Sequence, residues 1–326
     1  MTFVLNADQL PDIQAFLSDK KWIAPDEEIQ SAAKPGEGNM NYTLRIRTNF
    51  RSFILKQSRA YVEKYPQIPA PAHRARIEGT FYTYIQEVVA LRAFTPELMA
   101  MDTAHNILML EDLGESSDFT FLYQRGATID PEDLRALMDF LSLLHTHFDT
   151  GGEITNREMR LLNAEHIFEY PFRTDNGLDL DSITPGLAKV ALAYQTDAAL
   201  KARITDLSQV YLSEGKTLLH GDFFPGSWLR TYEGVRIIDP EFCFFGPAEF
   251  DLAVLLAHLR MSQQEERLSD MVLATYRGAV LDTNLLDQLT GIEIMRRLIG
   301  LAQLPLTLTL KEKEDLLAMA YGLINS

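Results

Sequence analysis

The chain has a single cysteine, Cys243, among 326 residues, so an intrachain disulfide is excluded. It is also short of cations, with 30 Lys and Arg against 46 Asp and Glu, a formal net charge of −16. Nucleic acid is therefore not an expected partner, because neutralising a phosphate backbone takes a basic footprint. No uninterrupted apolar run nears the roughly 20 residues that span a bilayer, so no membrane association is expected. Residues 1–9 lack the basic flank and apolar stretch of a secretory signal. Internal repeats and low-complexity tracts are absent. These absences leave a cytoplasmic enzyme as the plain reading, and the acidic charge leaves room for cationic small molecules.

What is present is an ordinary globular composition, 46% hydrophobic and 23% charged, in a chain too long for one compact core. Two lobes follow. A short amphipathic helix over 8–15, with Pro11 in its first turn, precedes a region over 29–113 that reads as strands interrupted by one helix, 71–93. Beyond Gly114 the pattern turns helical. Residues 131–148 place Leu134, Leu137, Phe140, Leu141 and Leu144 on one face behind the capping residue Asp130. Residues 158–170, 186–212, 250–261, 269–281, 285–301 and 311–324 also read as helices, with short strands near 217–219 and 235–238. The expected fold class is α+β: a small β-rich N-terminal lobe over 1–113 and a mostly α-helical C-terminal lobe over 114–326, with a boundary within 112–117.

The chemistry concentrates in a few places. His220-Gly221-Asp222 sets a carboxylate on a tight turn that ends at Gly226-Ser227, and Asp239-Pro240-Glu241 adds two more at the end of an apolar strand. Phosphoryl transfer from a nucleotide uses two such stations, one to orient the accepting hydroxyl and take its proton, the other to hold a metal. Upstream, Gly36, Gly38 and Asn39 form a turn whose backbone can approach phosphate oxygens. Lys56 lies on the following strand-like run, placed for the α- and β-phosphates. Glu78 and Glu87 are the candidate partners for that lysine. The run 106–114 reads as a strand entering an extended connector. An Asp222 that merely caps its own turn, a hairpin glycine loop and a surface placement of the adjacent pair Arg296 and Arg297 are the plainer readings of these pieces.

Taken in order, these elements resemble the protein-kinase-like fold of the aminoglycoside phosphotransferase and choline kinase superfamily. Within it they are most similar to the 5-methylthioribose kinase branch. The residues that carry the likeness are Gly36-Glu37-Gly38-Asn39-Met40-Asn41, Leu55-Lys56-Gln57, Arg74-Ala75-Arg76-Ile77-Glu78, the His220 to Ser227 turn, Asp239-Pro240-Glu241-Phe242, Phe250-Asp251 and Arg296-Arg297-Leu298-Ile299-Gly300-Leu301-Ala302. The resemblance implies an ATP-dependent, Mg2+-requiring kinase of a small-molecule hydroxyl, the acceptor a sugar or amino alcohol. It implies Asp222 as the base, Arg296 and Arg297 at the transferring phosphoryl group, and Asp239, Glu241 and Ser227 toward metal. It also implies Lys56 and Glu78 toward the phosphates, and Glu111 and Leu113 offering backbone groups to adenine in a cleft between lobes. Ser227 stands where most kinase-like enzymes carry asparagine, as it does in the methylthioribose branch. Around Asp222 the pattern departs: Phe224 replaces a polar histidine, which makes the acceptor end more apolar.

Other acceptors within the superfamily, an aminoglycoside, a choline-like amine or a homoserine-like alcohol, are the main alternative. A nucleotide-binding pseudokinase is the second. The reading is compatible with a homodimer and does not decide it.

Overall fold

The computed structural model describes residues 3–36 and 40–326. Two compact units make up the chain: Met1–Ser116 with Arg236–Glu241, and Ser117–Val235 with Phe242–Ser326.

The first unit is built on helix α1 (Leu10–Asp19), strands β1 (Ile29–Ala33), β2 (Tyr42–Thr48) and β3 (Ser52–Gln57), helix α2 (Arg74–Glu87), and strands β4 (Leu98–Asp102) and β5 (Ile107–Glu111). The five strands form an antiparallel sheet in the order β1-β2-β3-β5-β4. Period-two alternation sends Leu44, Ile46, Phe53, Leu55, Ile107 and Met109 to one face. There Leu5, Ile13, Phe16 and Leu17 cover them, forming the core of the unit. Each apolar side chain so buried contributes about 1.5–3 kcal/mol. The same alternation turns Lys56 away from that core, onto the face where α2 packs on β4 and β5. Gly79 lets α2 lie close, since a Cβ there would meet Leu108 Cδ2 at 3.0 Å.

The helix expected over 71–93 is shorter and broken. It starts at Arg74, ends where Val88 is extended, and gives way to the single turn Val89–Arg92. Division of the sequence at Gly114 also leaves 236–241 with the C-terminal lobe. In the structure this hexapeptide packs with the first unit, where the Ile237 N–H donates to the Phe94 carbonyl at 2.6 Å.

The second unit contains α3 (Pro131–His147), α4 (Arg157–Ala164), α5 (Ala198–Leu212), β6 (Thr217–Leu219), β7 (Gly234–Ile237, which crosses into the first unit), β8 (Phe244–Gly246), α6 (Glu249–Met261), α7 (Thr283–Ile299) and α8 (Leu310–Ile324). Helix starts follow their caps. The Asp130 carboxylate accepts from Glu132 N–H at 2.8 Å ahead of Pro131, and Thr309 with Glu312 forms a capping box. The helical run read over 186–212 is two helices, Leu187–Gln195 and α5, because Asp197 caps the Leu200 N–H at 2.9 Å and restarts the chain. Helix α4 continues through a π-type turn, Glu165–Glu169. Helix α7 packs against both α6 and α8, and Gly291 permits the latter approach, since a Cβ there would lie 2.6 Å from the Ala320 carbonyl oxygen. Strands β6 and β8 pair antiparallel and flank the turn that carries Asp222. Among the described residues, no helix is long and apolar enough to cross a membrane.

Candidate active site

In the first unit the strand lysine is enclosed by carboxylates. Lys56 Nζ donates to Glu78 Oε1 at 2.8 Å and to Asp239 Oδ1 at 2.6 Å. Glu78 is fully buried, whereas the Asp239 side chain is 49% exposed, so one partner is locked and the other opens to solvent. Glu87, the other candidate, is exposed at the end of α2. Burial opposes the charge on Lys56, but Asp239, Glu78 and Glu241 outweigh it and hold the ammonium above its ordinary value. Burial pushes the Glu78 carboxyl up to about 7; Asp239 and Glu241 add to this while Lys56 pulls it down.

Glu241 does not share a face with Asp239. Extended backbone would have put both carboxylates on one side, but the strand ends at Ile237, Asp239 adopts φ +63°, and Pro240–Phe242 is a single helical turn. Glu241 instead turns inward, accepting from Asn41 Nδ2 at 3.0 Å and pairing with Arg74 Nε at 3.3 Å. Burial raises its pKa, with Lys56 and Arg74 opposing. Arg74, wholly buried, also donates to Asn41 Oδ1 and to the carbonyls of Met40, Arg59, Tyr61 and Pro71. One guanidinium thus ties the chain leaving the glycine loop to the carboxylate segment.

Gly36 lies at a bend with open space where a Cβ would be, while Gly38 and Asn39 fall outside the described residues. Glu111 already uses its backbone N–H on the Glu97 carbonyl, and its side chain accepts from Glu97 N–H. Leu113 follows in the connector, where Arg45 binds the Asp112 carboxylate at 2.9 Å and the Gly114 carbonyl at 2.7 Å.

In the second unit Asp251 organises the turn before Asp222. Its two oxygens accept from His220 N–H at 2.7 Å and Gly221 N–H at 2.9 Å, and it meets His145 Nε2 at 3.3 Å. Gly221 has φ +85°, and a Cβ there would collide with the Phe242 carbonyl oxygen, so the turn requires glycine. His220 Nδ1 accepts from Asp222 N–H at 3.4 Å, a bracing contact. Ser227 is buried, and its hydroxyl donates to the Asp222 carbonyl at 3.0 Å.

Asp222 itself is met by Arg297, whose Nη2 donates to Oδ1 at 3.3 Å. Burial raises the Asp222 pKa, with Arg297 and Arg296 pulling it back. Of the two arginines, about 100° apart on the helix, only Arg297 reaches Asp222. Both grip Glu293, Arg296 at 3.0 Å and Arg297 at 2.6 Å, because that carboxylate lies three and four residues before them. Arg296 also donates to Asn163 Oδ1 at 3.2 Å. Burial would raise Glu293, yet the two guanidinium groups and His258 hold it well below the carboxylate range. His258 Nε2 lies 3.3 Å from Glu293, and its Nδ1 lies 2.7 Å from the Tyr123 hydroxyl. Glu293, His258 and Tyr123 are absent from the sequence reading. Only the spacing of Glu293 ahead of the twin arginine could have drawn attention to it.

No group of three His, Cys, Asp or Glu side chains converges as a ready-made metal cage among the described residues. Asp239, half exposed on a turn, is a hard oxygen donor open to solvent. That suits Mg2+, which keeps waters and phosphate oxygens as its other ligands.

The model of the phosphotransferase enzyme family matches residues 31–286. A methylthioribose kinase from Exiguobacterium sibiricum is 27% identical, over 84% of this chain and 81% of its own. One from Bacillus cereus is 26% identical, over 72% of this chain and 62% of its own, so the chain spans less than two thirds of that relative. Among solved structures, choline kinase LicA from Streptococcus pneumoniae superposes with a TM-score of 0.52 at 14% identity. That match covers 96% of this chain and 97% of the other. The fold is protein-kinase-like, a β-rich N-terminal region followed by a helical C-terminal part.

Proposed function

From the premise that the chain belongs to the phosphotransferase enzyme family, and as such is an ATP-dependent kinase of a small-molecule alcohol, we propose that its acceptor is 5-methylthioribose or a closely related sugar. Asp222 orients the accepting hydroxyl and takes its proton, while Arg297 and Arg296 stabilise charge on the transferring phosphoryl group. Lys56, held by Glu78, contacts the α- and β-phosphates, which Gly36, Gly38 and Asn39 approach through the backbone. Asp239 is the principal Mg2+ ligand; Glu241 and Ser227, which the sequence set beside it, are engaged instead by Asn41 and Arg74 and by the Asp222 carbonyl. Mg2+, when bound, neutralises charge on the phosphate oxygens. Leu113 and the connector at Glu111 meet adenine through backbone groups. Residues 1–116 with 236–241 make up the nucleotide-binding lobe and the remainder the acceptor lobe.

The observation that carries the choice of acceptor is the buried Arg297 at Asp222, with Arg296 beside it on Glu293. A cationic amine brought to the Asp222 carboxylate finds its charge already answered by Arg297 and is repelled by that guanidinium. A neutral sugar meets no such repulsion. This favours the sugar over a choline-like acceptor even in a chain of net charge −16. The test is Mg2+-dependent ADP release with 5-methylthioribose, related ribosides, amino sugars and choline. Turnover with the ribosides is expected. A response to amines alone rejects the sugar, and ATP binding without any turnover means a pseudokinase.

A further inference from the structure

The roles proposed for Asp222 and the arginines leave the acid between them without a task. Glu293 divides its carboxylate: Oε2 accepts from Arg296, and Oε1 from Arg297 Nε at 2.6 Å. With Nε engaged there, Arg297 turns only Nη2 to Asp222, and its Cζ lies over the Phe224 ring, 4.9 Å from the centre. The guanidinium is therefore fixed on three sides. Glu293 is fixed in turn. Burial lowers the pKa of His258 to about 4, so the ring is neutral. The ionised Glu293 carboxylate can only accept, so Nε2 carries the proton toward it and Nδ1 is left to accept from the Tyr123 hydroxyl. A buried ion cluster adds little stability over apolar packing, so this chain of four polar contacts needs another reason.

We propose that Glu293 is a positioning residue for phosphoryl transfer: it aims Arg297 at Asp222 and divides its charge between the two arginines, with His258 and Tyr123 fixing its own orientation. The inference rests on the reading of Asp222 as the residue that orients the acceptor hydroxyl. With Glu293, the two carboxylates and two guanidinium groups balance. Without it, Arg297 can present its whole fork to Asp222 and engage both oxygens, withdrawing the carboxylate from the hydroxyl.

The experiment compares wild type, Glu293→Gln, Glu293→Asp, Tyr123→Phe and Asp222→Asn by steady-state ADP release with 5-methylthioribose. Water serves as the acceptor should that sugar give no turnover. Glu293→Gln is expected to lower kcat about 10- to 100-fold with KM for ATP unchanged, and Glu293→Asp to restore part of the loss. Tyr123→Phe, which removes one hydroxyl, is expected to lower kcat about fivefold. Wild-type kcat in folded Glu293→Gln, or a loss seen only in KM for ATP, overturns the proposal. If circular dichroism shows Glu293→Gln unfolded, Tyr123→Phe decides, and an unchanged kcat there overturns it. Wild-type turnover in Asp222→Asn removes the reading of Asp222 and this inference with it. An inactive Asp222→Asn beside a fully active Glu293→Gln removes the inference alone.

Discussion

Replacing Glu78 with glutamine probes the first unit's charge cluster most directly. The side chains are isosteric, so no cavity opens, and Lys56 keeps a hydrogen-bond acceptor there together with the Asp239 carboxylate 2.6 Å away. What changes is one buried charge. Glu78 titrates at about 7 against an ordinary 4.5, raised mainly by burial and further by Asp239 and Glu241, against the pull of Lys56. The folded state thus holds this proton more tightly than the unfolded chain. Stability from the group is complete below pH 4.5 and declines as pH climbs to 7. The gap corresponds to about 3 kcal/mol at about 1.4 kcal/mol per pH unit. Glutamine has no such titration. Urea unfolding followed by circular dichroism at pH 5, 6.5 and 8 should therefore show this decline in wild type and its absence in Glu78→Gln. At pH 8 the variant should be at least as stable as wild type. Its KM for ATP should nonetheless rise about tenfold, because Lys56 then loses the buried charge that holds it and is drawn toward Asp239. A loss of about 3–5 kcal/mol at pH 8 would refute the reasoning, since that is the cost of breaking a buried pair that does stabilise.

Asp222→Asn should lower kcat about 10²- to 10⁴-fold while ADP affinity, measured by calorimetry, stays as in wild type. Asp239→Asn should abolish the Mg2+ dependence of nucleotide binding, read as identical ADP affinities with and without the ion. Gly221→Ala should cost at least about 1–3 kcal/mol in urea unfolding, because the residue has φ +85° and its Cβ would meet the Phe242 carbonyl. A wild-type unfolding midpoint for Gly221→Ala would mean the turn can relax without loss.

Local patterns determined much of this protein. Period-two alternation in 52–57 set Lys56 opposite Phe53 and Leu55, and 3.6-residue periodicity with Asp130 before Pro131 marked α3 to within one residue. The turn chemistry of His220-Gly221-Asp222 was equally legible, because a left-handed glycine is a local demand. Tertiary structure decided the partners. Spacing alone could not choose between Glu78 and Glu87, since the choice depends on which turn of α2 lies over β3. Nor could it show that 236–241 leaves the helical part to join the strand-built unit, or that Asp239 and Glu241 face apart once Asp239 goes left-handed. Glu293 meets Arg296 and Arg297 by local helical geometry, but His258 and Tyr123 reach it from distant segments. Hydrogen bonds between segments far apart in sequence follow from packing, and packing is a property of the whole chain.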